Sequence, residues 1–392
     1  MKAIIHADLV FPDRIVRDGC IVMDGGKIVA SGHVTPPAGA EIIDAHGLYA
    51  GPGLIDEHCH GYMQYGECID AADDAEKMAE RHLQHGTTTI TPTISYGRPV
   101  EDYERYIALC NAAVEKGNTT IAGMHYEGPY INPKYGAASD DAWLYNDALF
   151  CRLLELGGKN VIHCTYAPEM PGADLLEKRL SEYGVRGDIG HSDAGPADIE
   201  RAVAAGARIC THLYDAMGNH LGVEKAAAMT CDPQECTSTI LLGTPGLYYE
   251  LICDSLCAHV RPYNIRMALR AGGEDHIVLV TDSTAHVESW EVAKQLPEPY
   301  ASADDLNFNL ALELSGSRLT MNRACVNFRQ HTGADLRVTF KCAATNAAKA
   351  LGLFDRVGSI DAGKEANVLL VDEDFSIHAI YFRGEAVKDI RV

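Results

Sequence analysis

Positive charge is in short supply in this chain: Lys and Arg total 33 against 55 for Asp and Glu, a formal net charge of −22. A field of that sign repels polyphosphate backbones and anionic bilayers. Nucleic acid and membrane surfaces are therefore excluded as partners, and an anionic substrate would need a basic pocket of its own. Long apolar runs are missing too, and no stretch reaches the roughly 20 charge-poor residues that a membrane-spanning helix needs. The opening Met1-Lys2-Ala3-Ile4-Ile5-His6 carries no apolar secretory segment, and the 13 cysteines have no regular spacing. Both features point to the reducing cytoplasm rather than to a disulfide framework, with most thiols serving as small buried hydrophobes. Cys253 and Cys257 lack the second pair that would complete a thiolate metal site.

What is present suffices for a large core: 392 residues, 47% of them hydrophobic, allow one large catalytic domain and a smaller one. Both ends read as β structure. Gly19-Cys20-Ile21-Val22-Met23 and Lys27-Ile28-Val29-Ala30 flank the turn Asp24-Gly25-Gly26, and Ile377-His378-Ala379-Ile380-Tyr381-Phe382 turns at Arg383-Gly384-Glu385. The ends are expected to meet in a small β-sandwich of residues 1–52 and 357–392.

Residues 53–356 alternate between strand-like and helix-like runs. Strands are predicted at His58, at Thr87-Thr88-Thr89-Ile90-Thr91, and then at Ile121, Val161, Gly187, Arg208, Tyr249 and His276. Helices are predicted over 71–85, 148–156, 172–183, 196–205 and 262–271. Eight β-α repeats over this length predict an α/β fold of the TIM (β/α)8 barrel type, whose chemistry sits at the C-terminal ends of the strands.

The run Leu54-Ile55-Asp56-Glu57-His58-Cys59-His60-Gly61 follows the expected turn Gly51-Pro52-Gly53. In an extended strand, residues i and i+2 point the same way, so His58 and His60 can reach one ion. Reading the other strand ends adds Glu127, His191, His212 and Asp282. Each alone has a plainer reading, as a solvated acid, a loop or core histidine, or a helix cap. On one barrel rim they converge into a donor set suited to one or two divalent ions, Zn²⁺ first, with Fe²⁺ or Mn²⁺ also accepted.

These segments, together with His125-Tyr126-Glu127-Gly128-Pro129-Tyr130, Ala167-Pro168-Glu169, Gly190-His191-Ser192-Asp193-Ala194 and Thr211-His212-Leu213-Tyr214-Asp215-Ala216-Met217, resemble the amidohydrolase superfamily, and within it the N-acetylglucosamine-6-phosphate deacetylases. The resemblance runs the length of the chain. It implies metal-dependent hydrolysis of an amide, with a water acidified at an ion on Glu127, His191 and His212 losing its proton to Asp282, which returns it to the leaving amine. It also implies a second ion on His58 and His60, with Glu127 bridging. No lysine stands at the end of the fourth strand, where Cys164-Thr165-Tyr166 lies, so a carboxylated-lysine bridge is not expected.

The substrate end departs from the pattern. Gly136-Ala137-Ala138 replaces Gly-Ala-His, Asp215-Ala216 replaces Asn-Ala, and the phosphate-binding arginine beyond it is absent. His259, in Asp254-Ser255-Leu256-Cys257-Ala258-His259, follows two inserted residues. Ala137, Ala138, Asp215, Ala216 and His259 are the expected substrate contacts. A carboxylate at 215 would repel a dianion and favour a hydroxyl or an ammonium group. The leading expectation is deacetylation of an N-acetylated amino sugar. The alternatives are hydrolysis of another N-acyl or cyclic amide, or a barrel retained for binding or assembly. The small-molecule substrate is expected to be handled by a homodimer or larger homo-oligomer.

Overall fold

The computed structural model describes residues 1–136, 143–218, 236–285 and 289–389. Eight parallel strands form the barrel, in the order of the chain: Leu54–Cys59, Thr87–Ile94, Met124–Glu127, Val161–Tyr166, Arg186–Ile189, Ile209–Cys210, Tyr248–Ile252 and Ile277–Val280. The last meets the first through a bridge between Cys59 and Ser283 and through Asp282 N–H donating to the His58 carbonyl at 2.9 Å. Asp56 reinforces that seam, accepting from the Thr281 hydroxyl at 2.6 Å and from its backbone N–H at 3.2 Å.

The outer helices use ordinary capping chemistry. Asp70 accepts from the Ala72 N–H at the start of Ala71–Leu83, and Asn146 does the same for Leu149 at the start of Asp147–Gly157. Apolar faces of these helices and of Val100–Lys116 pack on the barrel through Met78, Tyr103, Tyr106, Ile107, Phe150 and Leu153, all buried.

Both ends of the chain contribute to one eight-stranded sheet. Tyr49–Pro52 pairs antiparallel with Val368–Val371 and in parallel with Lys2–Val10, while the predicted hairpins at Ile15–Asp24 with Lys27–Gly32 and at Ile377–Phe382 with Glu385–Asp389 are present. Gly51-Pro52-Gly53 is not the turn expected. Gly51 and Pro52 are strand residues, and the glycines are required by crowding: a Cβ on Gly51 would lie 2.5 Å from the Phe340 ring, and one on Gly53 would lie 2.1 Å from Thr88 Oγ1. The small sheet is therefore joined to the first barrel strand by the single residue Gly53.

Below the rim the barrel interior is polar. The His125 and His163 rings stack at 4.0 Å, His163 Nδ1 meets Asp188 Oδ2 at 2.6 Å, and hydroxyls of Thr91, Thr93 and Thr165 take the other ring nitrogens. Glu57 and Glu250 point inward among them, wholly buried.

Candidate metal centre

The strand ends place His58, His60, Glu127, His191, His212 and Asp282 in one cluster. His191, His212 and Asp282 each stand two residues past the last residue of their strands, with φ of 48°, 30° and 47°. Non-glycine residues rarely adopt that left-handed backbone, and three such positions on one rim mark strain of about 1 kcal/mol or more each, held in place by the surrounding fold.

All six side chains are buried. The His58 and His60 Nε2 atoms are 3.2 Å apart, and those of His191 and His212 are 3.1 Å apart. Glu127 lies between the pairs: Oε1 is 2.9 Å from His191 Nε2, 3.2 Å from His212 Nε2 and 3.3 Å from His58 Nε2, and Oε2 is 3.3 Å from His60 Nε2. Asp282 Oδ1 is 3.1 Å from His60 Nε2 and 3.5 Å from His58 Nε2.

The outer nitrogens decide how these contacts are read. His58 Nδ1 is 3.0 Å from Glu250 Oε2, His191 Nδ1 3.0 Å from the Tyr135 carbonyl, His212 Nδ1 3.2 Å from the Asp215 carbonyl, and His60 Nδ1 2.9 Å from Ser95 Oγ. Carboxylates and carbonyls only accept, so the Nδ1 atoms of His58, His191 and His212 carry hydrogen, and in the neutral rings their Nε2 lone pairs face inward. Lone pairs 3.1 Å apart, as on His191 and His212, repel one another unless a positive charge lies between them. The spacing fits a cation, since ligands about 2.0 Å from a tetrahedral ion are separated by about 3.3 Å. The donor set and the geometry both fit a divalent metal.

Electrostatics favour positive charge at the same place. Burial would raise the Glu127 carboxyl, but His58, His191 and His60 hold it well below the usual carboxylate range. Burial would lower His212, yet the Glu127 carboxylate beside it favours the positively charged ring and carries it up to about 9.

Five of the six, all but the wholly buried His58, open into a cavity of about 440 Å³, also lined by Ser95, Tyr96, Arg98, Asp215, Ala216 and a hairpin whose strands are Leu306–Phe308 and Leu314–Ser317. Of the expected substrate contacts, Asp215 and Ala216 line this cavity. Ala137 and Ala138 lie outside the described residues. His259 does not line the cavity but supports its wall: Nδ1 meets Asp254 Oδ2 at 3.0 Å and Nε2 meets the carbonyl of the wall residue Gly316 at 3.2 Å.

Sequence reasoning missed Ser95, Tyr96 and Arg98, because the second strand was ended at Thr91 whereas it continues to Ile94. Tyr96 packs edge-on against His191 at 4.9 Å between centroids. Gly136 faces the same ring with φ of +103°, and a Cβ there would lie 2.5 Å from His191 Nδ1 and 2.8 Å from the Tyr96 hydroxyl. Gly136→Ala is therefore expected to push His191 off its position and lower kcat/KM about 100-fold, with weakened ion retention, in steady-state kinetics paired with metal analysis. Wild-type values in both assays would show that the loop gives way instead.

The family model described as Amidohydrolase family matches residues 49–387. Curated relatives include N-acetylglucosamine-6-phosphate deacetylases of Bacillus subtilis, 28% identical over 96% of this chain and 94% of that one, and of Bos taurus, 30% identical over 95% and 94%. The crystal structure of N-acetylglucosamine-6-phosphate deacetylase from Pasteurella multocida superposes with a TM-score of 0.84 at 25% identity, covering 99% of this chain and 100% of that one. A Mycobacterium smegmatis structure of similar fold, TM-score 0.81 at 24% identity and 99% coverage of each chain, is a mutant in complex with N-acetyl-D-glucosamine-6-phosphate.

Proposed function

The chain belongs to the amidohydrolase family, and from that premise we propose that it is a metal-dependent deacetylase that cleaves the amide of an N-acetylated amino sugar. The observation that carries this reading is the set of four histidines whose outer nitrogens are engaged by the protein while their inner nitrogens converge with Glu127 and Asp282. The names of the curated relatives support the acetylated sugar as the substrate class.

Glu127, His191 and His212 would hold one divalent ion, and His58 and His60, with the second oxygen of Glu127, another; Zn²⁺ is the proposed metal, with Fe²⁺ or Mn²⁺ suited to the same donors. A divalent ion there polarises the amide carbonyl and brings the acidity of a water close to neutrality. Asp282, on the rim beside His60, takes the proton of the attacking water and gives it to the amide nitrogen as the C–N bond breaks, releasing acetate and the free amine. Tyr96 narrows the approach over His191, and Asp215, Glu313 and Arg98 face the remainder of the substrate.

Acetate release from N-acetylglucosamine, its 6-phosphate and a panel of N-acetyl amino acids tests the assignment. Turnover of the sugars is the expected result, and turnover confined to the non-sugar amides would overturn it. Charge at position 215 tunes the preference: unit charges about 8 Å apart at an effective dielectric near 20 interact by about 2 kcal/mol. Asp215→Asn is expected to raise kcat/KM for the phosphorylated sugar about tenfold relative to the neutral one. An unchanged ratio would place Asp215 out of reach of the phosphate.

Among the described residues no helix is long and apolar enough to cross a membrane. The free thiols of the described cysteines support the reducing cytoplasm as the proposed compartment. A homodimer or larger homo-oligomer belongs to the same proposal, and sedimentation of the purified protein tests it.

A further inference from the structure

Glu250 sits mid-strand in Tyr248–Ile252, where an apolar residue would ordinarily fill a barrel interior, and it is fully buried. One oxygen does two things at once: Oε2 accepts from His58 Nδ1 at 3.0 Å and from the backbone N–H of His212 at 3.0 Å. His58 belongs to one half of the cluster and His212 to the other, so a single carboxylate orients a ligand of each. The second oxygen, Oε1, has no hydrogen-bond partner among the described residues. Burying a carboxylate this way is costly unless its charge is used, and the protein atoms that use it both lead to the metal centre.

We propose that Glu250 is the positioning residue that couples the two halves of the centre, fixing the His58 ring and its basicity while anchoring the backbone from which His212 projects. The proposal rests on the metal-dependent reading above. Glu250→Gln separates charge from shape, since the amide oxygen in the Oε2 position accepts both bonds while the negative charge beside His58 is gone.

The test is calorimetric titration of metal-free protein with Zn²⁺, paired with Co²⁺ absorption spectra. Wild-type protein is expected to take two ions. Glu250→Gln is expected to keep the ion on Glu127, His191 and His212, to bind the ion on His58 and His60 about 10- to 100-fold more weakly, and to change the Co²⁺ spectrum. Unchanged affinity for both ions overturns the proposal, as does a fall in the melting temperature of the metal-free protein with affinities intact, which marks a merely structural role. Wild-type protein that binds no ion overturns the metal-centre reading itself, a separate failure.

Discussion

Asp282→Asn is expected to retain its divalent ions and lose about 10³-fold in kcat. The substitution keeps the shape of the side chain and an oxygen that can stand where Oδ1 does, 3.1 Å from His60 Nε2 and 3.5 Å from His58 Nε2. What it removes is a group able to accept a proton and give it back, and proton transfer by a positioned side chain contributes about 10²- to 10⁴-fold to such reactions. Burial would raise the Asp282 carboxyl, but His58 and His60 hold it below its ordinary value, so it starts as the base. The loss should appear in kcat with KM little changed, because the step affected follows substrate binding. Turnover near the wild-type rate with full metal content would remove Asp282 as the proton carrier and leave the task to another group on the rim.

Glu127→Ala is expected to act earlier, on the ions themselves. Among the described residues Glu127 is the one side chain in contact with the inner nitrogen of all four histidines, at 2.9–3.3 Å. Without it the donors of each half are neutral imidazoles, with Asp282 the remaining carboxylate beside His58 and His60, and the attraction for a dication falls accordingly. Purified variant protein should carry less than about a tenth of the wild-type metal and have no measurable deacetylation, while circular dichroism shows a folded barrel. A variant that binds both ions normally would mean that Glu127 is not the bridge.

How much of this was visible in the chain depended on where its order is local. Strand ends marked by a glycine or by a charged residue after an apolar run, such as Val280-Thr281-Asp282 and Ile189-Gly190-His191, expose the ligand directly, and every expected metal ligand falls in the cluster. The second strand hid its end. Pro92 reads as a strand stop because it has no N–H to donate, but here its carbonyl accepts from the buried Tyr106 hydroxyl and the strand runs on to Ile94. Ser95, Tyr96 and Arg98 were lost with it.

Glu250 was hidden for a different reason: its function lies in contacts 38 and 192 residues away, to His212 and His58, and no local pattern encodes those. The wall hairpin at Leu306–Phe308 and Leu314–Ser317 has strands too short to stand out. The role of His259 turned on geometry in the same way. Its sequence context suggested a substrate contact, while the fold engages both of its nitrogens with Asp254 and Gly316.

Anomalous diffraction from crystals of the Zn²⁺-reconstituted protein, recorded on either side of the zinc absorption edge, is the most direct check that these scattered residues make one metal centre. The expected map has a peak within about 2.0–2.2 Å of the Nε2 atoms of His191 and His212 and of Glu127, and a second between His58 and His60. Zinc density at other residues, or none at this cluster in protein shown to be loaded, would contradict the account.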